Sequence, residues 1–140
     1  MKITDVYLAS LKKGAKVPAY SGVAAGFPSP ADDFLEDKLD LNEKLIKHPA
    51  ATFFVRVAGH SMVKAGIYSG DLLIVDRSLE PKSGSIVVAI LNGDFTVKRI
   101  SKRGKRLFLM PENRNYNPIE ITDDSNFQVW GVVTNVIRNV

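Results

Sequence analysis

From Ala51 to the end, the chain breaks into short β-branched and aromatic runs separated by turn residues, and this pattern constrains the fold more than any other feature. Thr52-Phe53-Phe54-Val55-Arg56-Val57 is rich in side chains that pack well on a pleated surface. Leu72–Val75 and Ile86–Ile90 are short apolar runs bounded by turn residues. Asn92-Gly93 is a strong hairpin signal, because a two-residue type I′ turn needs positive φ at both positions, and it joins Ile86–Ile90 to Phe95–Ile100. Lys105–Met110 follows a further turn at Gly104, and Phe127–Ile137 supplies the last strand or two, with Gly131 expected at a bulge. Many short strands at regular spacing predict a mostly β fold, compact and curled into a barrel-like sheet.

Residues 1–29 read differently. Gly14, Pro18, Gly22, Gly26 and Pro28 punctuate them and no apolar period is sustained, so a flexible N-terminal arm is expected. Ser29-Pro30-Ala31-Asp32-Asp33 carries the chemistry of a helix start: a capping serine, a proline suited to the first turn, and acids at the positive end of the dipole. A short helix is expected to follow, with Phe34, Leu35 and Leu39 on one side, and a second helical turn or two over Asn42–Lys47 ends before Pro49. The expected organisation is an arm at 1–25, an acidic, partly helical segment at 26–47 and a β domain at 48–140.

Composition closes off several functions. The chain has 140 residues, which suits one domain plus a tail, and 45% of them are hydrophobic, enough for a real core. With no cysteine, disulfides, thiolate metal sites and cysteine nucleophiles are excluded, and a reducing compartment fits. His48 and His60 are the only histidines and show no zinc-ligand spacing, so neither a metal nor a cofactor is expected. No apolar run is long enough to span a membrane and the start lacks a signal peptide's apolar region, so a soluble, cytoplasmic protein is expected. The net charge of +4 divides into +3 over residues 1–25, −3 over 26–50 and +4 over 51–140. The last two blocks together are no obvious electrostatic DNA binder.

The chemistry centres on Ser61, in Gly59-His60-Ser61-Met62, and Lys98, in Phe95-Thr96-Val97-Lys98-Arg99. A serine hydroxyl needs a base to become a nucleophile. His60 is adjacent in sequence, and adjacent side chains tend to point apart in a strand or turn, so it is badly placed. His48 stays open as a base, although no acid is set to orient it. Lysine serves if it is neutral. At a pKa of about 10.4, only roughly 0.04% is neutral at pH 7, and holding that form costs about 4–5 kcal/mol unless burial lowers the pKa. Strand alternation places Thr96, Lys98 and Ile100 on one face, where the Thr96 hydroxyl can orient the amine.

The motifs Lys47-His48-Pro49-Ala50-Ala51-Thr52-Phe53-Phe54, Gly59-His60-Ser61-Met62, Ser69-Gly70-Asp71-Leu72-Leu73-Ile74-Val75-Asp76 and Gly93-Asp94-Phe95-Thr96-Val97-Lys98-Arg99 resemble, in that order, the LexA/UmuD family of self-cleaving Ser-Lys peptidases. The resemblance runs from about residue 22 to the C-terminus. The short arm is similar to the UmuD-type SOS mutagenesis proteins and too short for a repressor's helix-turn-helix domain. The resemblance implies a LexA-type peptidase domain with Ser61 as nucleophile, Lys98 as general base and Ala25-Gly26 as the scissile bond. Small Ala25 and permissive Gly26 suit such a cut, and Pro28 and Pro30 discourage helix across it. The backbone N–H groups of His60 and Ser61 would form the oxyanion hole. His60 departs from the acidic residue found before the serine in many members. The implied partners are a RecA filament on single-stranded DNA as trigger, a second copy in a homodimer, a UmuC-type Y-family polymerase for translesion synthesis, and replicative polymerase subunits.

Two other readings compete. Lys98, Arg99, Lys102, Arg103, Lys105 and Arg106 form a basic cluster around a turn, which suits a non-catalytic module contacting DNA or replication proteins. Signal peptidases also pair a Ser-Met motif with lysine, but they work at a membrane, and this chain carries its own candidate substrate.

Overall fold

The computed structural model describes residues 1–10, 16–20 and 35–140. Its elements are β1 (Lys2–Leu8), β2 (Lys16–Tyr20), β3 (Leu35–Asp40), α1 (Leu41–Leu45), β4 (Thr52–Ala58), β5 (Leu72–Asp76), β6 (Ile86–Leu91), β7 (Asp94–Arg103), β8 (Arg106–Met110), β9 (Ile119–Ile121) and β10 (Phe127–Ile137). They fall into two units: Met1–Ala9 with Ala50–Val140, and Ser10–Pro49.

The larger unit is a closed antiparallel barrel of six strands in the order β1-β4-β5-β10-β6-β7, and β8 and β9 continue the sheet beyond β7. The closing pair is Lys2 opposite Thr96. The barrel-like, mostly β expectation is therefore met. Its core gathers Val55 and Val57 of β4, Met62, Ile67, Leu73 and Val75 of β5, Val88 of β6 and Val97 of β7. A second cluster on the other face of β6 and β7 joins Val87, Ala89, Ile100 and Leu109. Because β6 is buried on both faces, its sequence reads as an unbroken apolar run rather than an alternation.

Turn chemistry fixes the registers. Asn92 and Gly93 adopt φ of 50° and 86°, the left-handed pair that a tight hairpin demands, and Leu91 then faces Asp94. The pairing of β10 with β6 slips between Val129 and Gly131, so the bulge expected at Gly131 is present. A Cβ there would stand 2.6 Å from Val75 Cγ1.

Two local readings change. Residues 2–8 form a strand of the barrel where the sequence shows no apolar period. They lie at a seam, exposed at all but one position, so there is no alternation to read. Leu35–Asp40 is a strand paired with β2, not the expected helix. The pairing sets Leu39 opposite Val17 and Leu35 opposite Tyr20, and such non-local partners override local propensity. Helix begins only at Leu41, where the Asp40 carboxylate accepts from the N–H groups of Asn42 (3.0 Å) and Glu43 (3.4 Å). The helix start at Ser29–Asp33, Phe34 and the Ala25-Gly26 bond lie outside the described residues.

Candidate active site

Ser61 sits in the turn that leaves β4. Gly59 opens the turn at φ +110°, a backbone shape that side chains with Cβ rarely adopt. Met62 and Ile67, both fully buried, pin the turn to the core. The outer side is clamped by the segment after β8: the Glu112 N–H donates to the Ser61 carbonyl (2.8 Å) and Asn113 Nδ2 to the His60 carbonyl (2.7 Å). Arg99 of β7 holds that segment through Glu112 Oε1 at 2.5 Å. Neighbouring residues of β7 thus do two jobs: Arg99 steadies the clamp, and Lys98, on the opposite face, reaches the serine.

Lys98 Nζ lies 2.9 Å from Ser61 Oγ, and it also donates to the Val97 carbonyl at 3.3 Å. Ser61 is 1% exposed and Lys98 6%. Lys98 faces Val87 across the β6–β7 ladder and shares its face with Ile100, both buried. Among the described residues no carboxylate pairs with it. Burial accordingly pushes the Lys98 ammonium below its ordinary 10.5, offset in part by a hydrogen bond with the chain's terminal amine.

That amine is the third group at the site. The Met1 nitrogen donates to Ser61 Oγ at 2.8 Å and to Thr96 Oγ1 at 3.4 Å. Burial, then a hydrogen bond to Lys98 and that residue's charge, lower its pKa from 8.0 to about 5. Thr96 shares a face with Lys98, and the hydrogen bond that its hydroxyl accepts comes from Met1. His60 is exposed. No hydrogen bond engages the N–H of His60 or Ser61 among the described residues.

The sequence missed Met1, Glu112 and Asn113. Nothing local marks them, since the contacts join residues far apart in the chain. The basic cluster divides. Lys98 is buried at the serine, Arg99 is tied to Glu112, Arg106 holds Glu120 through two bonds of 2.9 Å, and the Arg103 and Arg106 guanidinium groups lie over Phe108. Among the described residues no three acidic or histidine side chains gather to hold a metal ion, and no helix is long and apolar enough to cross a membrane.

Comparison with known proteins extends the geometry. The sequence profile described as Peptidase S24-like matches residues 18–134. Protein MucA of Salmonella typhimurium is 42% identical over 137 residues, covering 96% of this chain and 92% of its own length. Protein SamA of Salmonella typhimurium strain LT2 is 48% identical over 114 residues, 81% of this chain and 79% of its own. The LexA repressor of Bordetella avium is 40% identical over 131 residues, covering 94% of this chain but 61% of the repressor. A closed β barrel with a buried serine and lysine in contact, and relatives matched over most of their length, lead to one conclusion: the chain belongs to the Peptidase S24-like family, a family of serine peptidases.

Proposed function

We propose that this protein cuts itself between Ala25 and Gly26, with Ser61 as nucleophile and Lys98 as general base. One observation carries the reading: a buried lysine nitrogen, with no carboxylate partner among the described residues, lies 2.9 Å from a buried serine oxygen. Neutral Lys98 accepts the hydroxyl proton as Oγ attacks the Ala25 carbonyl, and the His60 and Ser61 N–H groups stabilise the oxyanion. Protonated Lys98 then passes that proton to the leaving Gly26 nitrogen, and water hydrolyses the acyl-enzyme. In sequence the scissile bond falls between β2 and β3, which pair with each other. The cut separates residues 1–25 from 26–140.

The wider reading follows the family. The protein serves SOS mutagenesis in the cytoplasm; a RecA filament on single-stranded DNA favours the cleavable state, and the trimmed homodimer joins a UmuC-type Y-family polymerase and replicative polymerase subunits in translesion synthesis. Support comes from the likeness to MucA and SamA along most of the chain.

Intact mass after incubation from pH 7 to 10 tests the chemistry. The wild type is expected to break between Ala25 and Gly26, Ser61→Ala to stay whole while folded, and Gly26→Lys to stay whole with the site intact. A Lys98→Ala protein that processes itself at the wild-type rate refutes the dyad.

A further inference from the structure

The mechanism uses Ser61 and Lys98 but leaves β1 unexplained. This strand runs antiparallel to β4, with Lys2 opposite Ala58, Ile3 opposite Val57, a slip, and then Asp5 to Leu8 opposite Arg56 to Phe53. Its amino end points at the nucleophile, with the Met1 nitrogen 2.8 Å from Ser61 Oγ. When a serine peptidase cuts a chain, the leaving half is the piece that begins with a new amine, and that amine is released beside the serine oxygen. An extended strand whose first nitrogen touches Oγ and whose remainder runs away from it has the geometry of that half. Burial keeps the amine largely neutral at pH 7, the form in which a leaving amine departs.

The surroundings agree. Met1 and Ile3 pack on the barrel core, while Val6, Tyr7 and Leu8 are 48%, 50% and 62% exposed. The strand is gripped at its amino end and along β4, but it meets β7 at one residue pair only. Beside that seam lies a cavity of about 540 Å³ lined by Met1, Lys2, Ile3, Asp94, Phe95 and Thr96, among others. With β1 seated, Ser61 is only 1% exposed.

We propose that the trough between the edge of β4 and Thr96 is the leaving-group half of a peptide-binding cleft. It takes an extended peptide by strand addition with the amino end at Ser61, and β1 is its resident occupant, which withdraws before a substrate enters. This rests on the reading of Ser61 as nucleophile.

The test uses the full chain carrying Gly26→Lys, which stays whole, and a fluorophosphonate probe. In labelling, Ser61 Oγ bonds phosphorus, fluoride leaves and Lys98 takes the hydroxyl proton. Ile3→Asp removes an apolar anchor of β1, and Val6→Pro, a second route, removes a backbone donor. Either is expected to label at least tenfold faster than its parent, with hydrogen exchange reporting unprotected amides over residues 2–8. An excess of the octapeptide Met-Lys-Ile-Thr-Asp-Val-Tyr-Leu is expected to restore the slow rate, and its Nα-acetylated form to do so less well. Equal labelling of parent and variants despite a freed β1, or a rise that the octapeptide does not reverse, overturns the proposal and leaves the nucleophile standing. No labelling of any protein removes the nucleophile, and the proposal with it.

Discussion

Two of the charge-bearing side chains that the barrel buries, Asp71 and Lys98, are treated in opposite ways. The Asp71 side chain is 2% exposed, and it is answered: Arg138 Nε and Nη2 reach its two oxygens at 2.6 and 2.5 Å, and the Tyr68 N–H adds a third bond at 2.8 Å. The guanidinium also lies over the Tyr68 ring, 4.4 Å from its centroid. The bonds from Arg138 hold the Asp71 carboxyl below its ordinary 3.8 despite burial. Lys98 is buried nearly as deeply and receives no anion among the described residues, so burial moves it towards neutrality. A paired buried charge is held as a charge and ties the chain together, whereas a buried cation without a counter-ion is shifted towards its neutral form.

The contrast can be broken from either side. Lys98→Ala is expected to slow self-cleavage by about 10²–10⁴-fold, the usual contribution of a general base, as read by intact mass. Lys98→Met is expected to lose the same activity while keeping or raising the melting temperature, because an uncompensated cation leaves the interior; a clear fall in Tm would show the lysine to be structural. Arg138→Ala should do the reverse, lowering Tm by several degrees because Asp71 is left buried and unpaired, with the fluorophosphonate reaction of Ser61 preserved.

Titration separates the two as well. A base with a lowered pKa gains its active form as pH rises, so the cleavage rate is expected to climb about tenfold per unit and to level off below the 10.5 of an ordinary lysine. Asp71 runs the other way. Its carboxyl is depressed, so its contribution to stability is complete above 3.8 and is lost as pH falls through its lower folded value, which an acid melt of wild type against Arg138→Ala would reveal. The smallest effect sharpens the comparison by touching neither charge: Gly131→Ala presses a Cβ on buried Val75 Cγ1 and is expected to cost about 1–3 kcal/mol in denaturant melts.

What could be read in the sequence was what local chemistry writes there. Asn92-Gly93 specifies its turn within two residues, β6 announces its burial as an unbroken apolar run, and Lys98 stands out as a cation within a strand pattern. The parts that could not be read are made by partners distant in sequence. Asp71 and Arg138 are 67 residues apart, and Met1 and Ser61 are 60 apart. β1 owes its strand state to β4, and β3 owes its own to β2. The Leu35–Asp40 segment spaces its leucines four apart, an interval that suits a helix and a strand equally well, and only pairing decides between them.

The position of β10 has a consequence in time. This strand, the last to be synthesised, lies between β5 and β6, and so between the half of the barrel that carries Ser61 and the half that carries Lys98. While residues 127–137 are still inside the ribosome, the two halves can meet only along the β1 seam, where Lys2 faces Thr96, and through the bonds from Glu112 and Asn113 to the serine turn. In a nascent chain the lysine and the serine therefore meet across that seam alone, and the sheet closes around them on its other side only after translation has delivered the strand between β5 and β6.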